Sequence, residues 1–283
     1  MKKKNVYVAI MAGGIGSRFW PYSRVHRPKQ FLDVLNTGKT LIQLTVERYL
    51  KVCPIEHIFI VTNEDYIDLV KEQIPNIKDD QILAEPVRRN TAPCISYVSQ
   101  KIQKNDADAK IIVSPSDHLI LKEDKFVETI EHALNFIEHN DVLLTMGIKP
   151  TRPDTGYGYI QHKGEANDGV FKVKAFTEKP EKELAKTFIT SGDFLWNSGT
   201  FIWRSQTINK AIKQYIPEVH EAIASCEDQF FTEKETQAIA RAYSMCTSVS
   251  IDYGVMEKAD NTYVLPADFG WSDIGTWASL YEV

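Results

Sequence analysis

The chain has 283 residues, 43% hydrophobic and 25% charged, the make-up of an ordinary globular protein and long enough to bury a substantial core. Its 33 Lys+Arg against 38 Asp+Glu give a formal charge of −5, which argues against nucleic acid or an anionic membrane as the main partner and makes any anion site local. The chain reads as cytoplasmic: the apolar stretch after Lys2-Lys3-Lys4 meets glycine too soon for a signal peptide or a membrane span, and Cys53, Cys94, Cys226 and Cys246 lack zinc-finger spacing and read as reduced thiols.

In chain order, the apolar run 6–11 predicts a buried strand that turns sharply at Gly13-Gly14-Ile15-Gly16. There, backbone N–H groups can face an anion, with Arg18 and Lys29 as fixed positive charge. Two better-known glycine motifs fail: the dinucleotide fingerprint needs a glycine where Phe19 stands, and a Walker A loop ending at Gly38-Lys39-Thr40 needs one at Asp33. Strands at 57–62, 81–84, 110–114 and 142–148 alternate with amphipathic stretches at 41–52, 64–74, 91–104 and 124–139. This order predicts an α/β fold with a Rossmann-like, doubly wound sheet. Beyond residue 150, aromatic, turn-rich strands at 156–160, 171–180 and 195–203 extend the same sheet as a second lobe, with helices at 204–215 and 233–245 covering it.

In doubly wound sheets ligands sit at the carboxyl ends of the strands. Here those ends are polar: the glycine loop, Glu85-Pro86-Val87-Arg88-Arg89-Asn90-Thr91, and Pro115-Ser116-Asp117-His118 converge on one rim. Asp117 and Asp273 could together hold one Mg²⁺, a hard cation that takes one or two carboxylates plus phosphates and water; a turn for Asp117 and a helix N-cap for Asp273 are the bland alternatives. His118 reads as structural, since an ionised phosphate oxygen needs no base. Glu178-Lys179 is either a surface exit from a strand or a carboxylate and ammonium for a hydroxylated, phosphorylated ligand. Gly156-Tyr157-Gly158 is either a tight bend or a close backbone approach to that ligand, and Asn197 offers donor and acceptor together. Asp106-Ala107-Asp108 has the spelling of a glycosyltransferase metal motif but precedes a strand, so it reads as a solvated turn.

Gly13-Gly14-x-Gly16-x-Arg18 with Pro28-Lys29, Glu85-Pro86, Arg89-Asn90-Thr91-Ala92-Pro93, Pro115-Ser116-Asp117-His118, Glu178-Lys179-Pro180, Trp196-Asn197-Ser198-Gly199, Ser250-Ile251-Asp252-Tyr253 and Trp271-Ser272-Asp273 together resemble the sugar-phosphate nucleotidyltransferases. Within that family the Glu85 and Ser250 segments resemble the guanylyltransferases that act on mannose 1-phosphate. The resemblance implies a GT-A-like fold on a doubly wound mixed sheet, in one catalytic domain spanning 1–283, with a nucleotide-binding half at about 1–150 and a sugar-phosphate half at about 151–283. It implies GTP and mannose 1-phosphate as substrates and Mg²⁺ as cofactor, held by Asp117 and Asp273. Arg18 and Lys29 would stabilise the α-phosphate and leaving group. Ala12, Gly13, Gly14, Gly16, Ser17 and Ser116 would line the nucleotide, with Glu85, Asn90 and Thr91 around the guanine. Gly156, Tyr157, Gly158, Glu178 and Asn197 would meet the sugar, and Lys179 its phosphate.

Rival readings are a thymidylyl-, uridylyl- or adenylyltransferase using glucose 1-phosphate, and a non-catalytic sugar-nucleotide-binding subunit. Members of the family usually continue into a further C-terminal segment, whereas this sequence stops at Val283. It is expected to be a truncated or short form, without room for a fused phosphomannose isomerase domain. A homodimer is a candidate assembly, weakened if the C-terminus is truncated.

Overall fold

The structure is a computed structural model that describes residues 5–14, 19–275, 277 and 280. Its strands are β1 (Val6–Met11), β2 (Ile58–Asn63), β3 (Ile82–Glu85), β4 (Lys110–Pro115), β5 (Leu119–Ile120), β6 (Leu143–Ile148), β7 (Tyr159–Asn167), β8 (Val170–Thr177), β9 (Phe194–Arg204), β10 (Thr262–Ala267) and β11 (Trp271–Ser272). Its α-helices are α1 (Leu41–Tyr49), α2 (Ile67–Gln73), α3 (Thr91–Asn105), α4 (Glu123–His139), α5 (Lys182–Ser191), α6 (Ser205–Tyr215), α7 (Pro217–Ala224) and α8 (Glu235–Met245).

The central sheet has the order β3-β2-β1-β4-β9-β6-β10-β8-β7, and β5 pairs with β11 in a separate ribbon. β3, β2, β1 and β4 are parallel, as the apolar runs require: Val8, Ala9 and Ile10 are all fully buried, and successive residues face opposite layers. Val8, Ile10, Ile58 and Ile60 pack with α1, α2 and α4, while Ala9, Phe59 and Val61 pack with α3, α6 and α8. α1 begins where Gln43 Oε1 accepts the Thr40 N–H at 2.9 Å, half of a capping box.

The predicted helices and strands are present, most within a few residues of their expected ends; the strand expected at 156–160 is β7, which starts at Tyr159 and runs on to Asn167. Strand order holds the surprise. β6 does not lie beside β4; β9 is inserted antiparallel between them, pairing Ile112 with Ile202 on one side and Leu144 with Ile202 on the other. The sheet is mixed, as expected, and the position of β9 stitches the second lobe through its middle. The sequence reading also passed over β10, whose Pro266 argues against a central strand, and over α5 and α7. The four cysteines are all buried thiols. No helix among the described residues is long and apolar enough to cross a membrane.

Candidate active site

The carboxyl ends of β1, β2, β3 and β4 meet as expected. The Ala12 N–H donates to Val61 O at 2.7 Å and the Ser116 N–H to Met11 O at 3.1 Å. Gln30, buried in the 3-10 turn Lys29–Phe31, donates from Nε2 to Ala12 O and Gly14 O, both at 2.9 Å, and Thr62 Oγ1 adds a bond to Ala12 O at 3.0 Å. With the Ala12 and Gly14 carbonyls held from below, the described start of the loop is fixed by protein bonds alone. Gln30 follows Pro28-Lys29 directly, but nothing local in the sequence marks its amide as the support of the loop. Gly16, Ser17 and Arg18 lie outside the described residues.

Glu85 closes this pocket from β3. A Cβ on Gly13 would sit 3.4 Å from Glu85 Oε2, so the glycine leaves little more than room for the carboxylate. Glu85 is only 6% exposed, and its Oε1 makes no hydrogen bond among the described residues. Burial pushes its pKa up to about 7, with the Tyr243 hydroxyl and the Arg88 guanidinium beside it holding it back in part. Arg88, which the sequence reading did not single out, donates to Gly13 O at 3.2 Å and to the Tyr66 hydroxyl at 3.0 Å, tying the loop after β3 to the glycine loop.

Asn90 and Thr91 turn out to be structural partners. Asn90 has φ +66° and accepts the Thr91 N–H as the N-cap of α3. Thr91 Oγ1 accepts the Ile251 N–H at 2.9 Å.

Lys29 is the centre of a second cluster. Its Nζ donates to Asp117 Oδ2 at 2.8 Å, to Asp273 O at 2.7 Å and to Ile274 O at 3.0 Å, an acceptor for each of the three ammonium protons. Burial works to raise the Asp117 pKa, but the Lys29 ammonium and its hydrogen bond, with His118 nearby, more than offset this and leave it below the usual carboxylate value. Asp273 Oδ1 accepts the Gly275 N–H at 2.8 Å and the Tyr157 hydroxyl at 3.0 Å. The first bond is the cap-like turn set against a metal role in the sequence reading. His118 Nδ1 accepts from Trp271 Nε1 at 3.1 Å; burial lowers its pKa and favours the neutral ring, a structural histidine as anticipated.

The donor set here suits a hard divalent cation. Lys29 bonds the Asp117 carboxylate and the main-chain carbonyl of Asp273, which ties the two aspartates to one cluster, and the nearby imidazole has its Nδ1 committed to Trp271. Two carboxylates completed by phosphate oxygens and water fit Mg²⁺. Among the described residues no group of three or more His, Cys, Asp or Glu forms an all-protein cage.

The sugar-side candidates gather around the start of β7. Asn197 N–H donates to Gly158 O at 2.8 Å, and a Cβ on Gly158 would fall 2.6 Å from Glu178 Oε2, so only glycine lets that carboxylate lie against the strand. Glu178 is paired with Lys179, a residue at φ +44°. The Tyr157 ring is wedged between Trp196 and Trp271 and its hydroxyl is committed to Asp273, so it joins the two clusters and has no donor left for a sugar. Gly156 lies at an exposed bend, its N–H bonded to Asp154. Asp252, quoted in a motif but given no role, is part of this pocket: its Oδ1 accepts Asn197 Nδ2 at 2.7 Å.

A family model described as Nucleotidyl transferase matches residues 7–283. The mannose-1-phosphate guanylyltransferase of Escherichia coli K12 is 36% identical over all of this chain and 60% of its own length. The chain thus spans about three fifths of the curated relatives it matches. A Thermus thermophilus crystal structure described as a mannose-1-phosphate geranyltransferase superposes with a TM-score of 0.89 at 31% identity, over 99% of this chain and 80% of that one. A Helicobacter pylori structure described as a mannose-6-phosphate isomerase gives 0.74 at 26% identity, over 95% of this chain and 99% of that one.

Proposed function

Because the chain belongs to the nucleotidyl transferase family, we propose that it makes GDP-mannose and pyrophosphate from GTP and mannose 1-phosphate. The observation that carries this reading is Glu85: a buried carboxylate whose Oε2 lies at the glycine loop, 3.4 Å from where a Gly13 Cβ would stand. Guanine presents N1–H and an exocyclic amine on one edge, and a carboxylate accepts from both. A thymine or uracil edge offers a single N–H.

An oxygen of the sugar phosphate attacks the α-phosphorus in line, the new P–O bond forms as the bridge to the β-phosphate breaks, and pyrophosphate leaves with the electron pair. No proton need be taken from the attacking oxygen, so catalysis is positioning and charge stabilisation. The amides of residues 13–17 hold the triphosphate, and Arg18 and Lys29 stabilise charge on the α-phosphate and leaving group. Lys29 can do so only by exchanging one of its three protein acceptors for a phosphate oxygen, which makes it a group that switches partners. Asp117 and Asp273 would hold Mg²⁺, which would supply neutralisation of the phosphate charge. Glu178, Asn197 and the backbone at 156–158 hold the hexose, and Lys179 its phosphate. Residues 1–150 thus serve the nucleotide and 151–283 the sugar phosphate. The substrates suit a cytoplasmic enzyme.

The test is Mg²⁺-dependent pyrophosphate release from GTP, dTTP, UTP and ATP, each with mannose 1-phosphate and glucose 1-phosphate. Release confined to GTP with mannose 1-phosphate supports the reading; preference for another pair replaces it. Isomerisation of mannose 6-phosphate, followed in parallel, releases no pyrophosphate and would move the chain toward the Helicobacter description.

A further inference from the structure

We propose that Asp252 is a sugar-specificity residue, its carboxylate accepting from a hexose ring hydroxyl next to the one that Glu178 accepts. The proposal rests on the sugar-1-phosphate reading above and deepens it.

Four observations place the residue there. Asp252 opens a π-helical turn, Asp252–Met256, a rare geometry that recurs at functional sites. A crevice of about 10 Å³, deep enough for a hydroxyl and not for a whole ring, lies between β7, β8, β9 and this turn and is lined by Gly158, Glu178, Asn197, Asp252, Tyr253 and Glu257, so it joins the Asp252 carboxylate to the sugar-side candidates. Asn197 fixes the orientation of Asp252: one Nδ2 proton goes to Asp252 Oδ1, while Asn197 Oδ1 accepts the Gly199 N–H at 3.1 Å, so the amide cannot flip without losing both bonds. Finally, Tyr253 is 48% exposed at the cavity's edge, an aromatic face beside two carboxylates.

That combination recognises a hydroxylated ring. Carboxylates are acceptor-only groups and hydroxyls can always donate to them, while an aromatic ring covers the apolar C–H face of a sugar. Asp252 and Glu178 lie close enough to raise the Asp252 pKa, after burial itself, and the Asn197 amide works against that rise. Two like charges held near one another gain most from a ligand that offers a donor to each. Glucose and mannose differ only in the direction of one hydroxyl, so an acceptor fixed by a side-chain amide is a means of telling them apart.

The experiment compares the full chain with Asp252→Asn, which keeps shape and loses the acceptor-only character. Calorimetry measures binding of GDP and of GDP-mannose, and steady-state kinetics gives KM for GTP and for mannose 1-phosphate. The expected result is a tenfold or greater weakening of GDP-mannose binding and a similar rise in KM for the sugar phosphate, with GDP binding and KM for GTP within twofold of the wild type. In addition, one monodeoxy mannose 1-phosphate should bind wild type and variant alike. Unchanged sugar binding overturns the proposal, as does an equal loss for GDP and GDP-mannose, which would mark Asp252 as structural. If the wild type prefers another nucleoside diphosphate sugar, the same pair of titrations with that compound and its parent diphosphate tests Asp252 although the GDP-mannose reading has failed. Should Asp252→Asn not fold, as judged by its melting curve, Tyr253→Ala carries the same comparison at the exposed edge of the cavity, where loss of selective sugar binding supports the pocket and its retention overturns it.

Discussion

Thr91 Oγ1 accepts the main-chain N–H of Ile251 at 2.9 Å, across 160 positions of sequence. A second bond, from the Ala92 N–H to Val249 O at 3.0 Å, makes the contact a clamp between the start of α3 and the segment that carries Asp252. Residues expected to surround the base are thereby braced against the segment proposed to meet the sugar.

Thr91→Val keeps the shape of the side chain and removes the acceptor. The stranded N–H is expected to cost about 1–2 kcal/mol, a lower melting temperature, and to loosen Asp252. KM for the sugar phosphate should rise severalfold with KM for GTP nearly unchanged. The opposite pattern, a GTP effect alone, would return Thr91 to the guanine pocket.

Glu85 predicts a pH dependence with a definite sign. Its folded pKa of about 7 lies above the ordinary 4.5, so the folded protein holds the extra proton between those values. This contribution to stability is full below pH 4.5 and falls away as pH rises toward 7, by at most about 3 kcal/mol. Glu85→Gln should flatten that slope in a series of melting curves. GTP binding needs the ionised form, so it should weaken as pH drops below 7, and binding near pH 6.5 should release a proton. A pH-independent affinity would separate Glu85 from the base.

Lys29→Ala should lower kcat by orders of magnitude and also destabilise the fold. The ammonium satisfies Asp117 and two carbonyls, and removing it leaves a carboxylate without its partner. Because Asp117 is partly exposed, about 2–3 kcal/mol is expected rather than the larger figure for a fully buried pair. Denaturant unfolding of the variant, set against its kcat, separates the two effects.

Asp273→Asn should shift the Mg²⁺ titration to at least tenfold higher concentration, since the amide oxygen can still accept from Gly275 while the charge is gone. Tyr157→Phe, which removes only the second bond to that carboxylate, should shift it less. Unaltered Mg²⁺ dependence in Asp273→Asn would leave Asp273 as a turn-capping residue.

Gly158→Ala places a methyl 2.6 Å from Glu178 Oε2 and must displace the carboxylate. Sugar-phosphate KM should rise at least tenfold with little change in melting temperature, because a partly exposed side chain yields. Gly147→Ala, whose methyl would meet Leu195 and Val264 at 2.7 Å inside the sheet, should instead destabilise the fold by about 1–3 kcal/mol.

Local chemistry made much of this site readable. The glycine loop, Glu85 and Asp117 each follow a buried parallel strand, and strand ends converge by the geometry of the sheet. What sequence could not give were the commitments between distant residues. Tyr157 was legible as an aromatic between two glycines, but its hydroxyl is used by Asp273, 116 positions away. Asn90 and Thr91 sit in a recognisable motif, yet one caps its own helix and the other serves Ile251. Asp252 stands in a polar turn whose partner, Asn197, comes from another strand. In the fold, the aromatic, turn-rich run at 195–203 identified β9 as a strand but said nothing of its neighbours, and Pro266 concealed β10.

The position of β9 also dictates an order of assembly. β4 ends at Pro115, but its neighbour on that side is completed only at Arg204, and β6 waits for the same strand. While the chain is being made, the first four strands can pair as they emerge, yet the sheet keeps an open edge at β4 for nearly ninety more residues. Parallel strands with a waiting edge are slow to close and prone to pair with other chains. Synthesis conditions that slow the ribosome between residues 115 and 204 should therefore lower the yield of soluble protein far more than the same pause placed after Arg204.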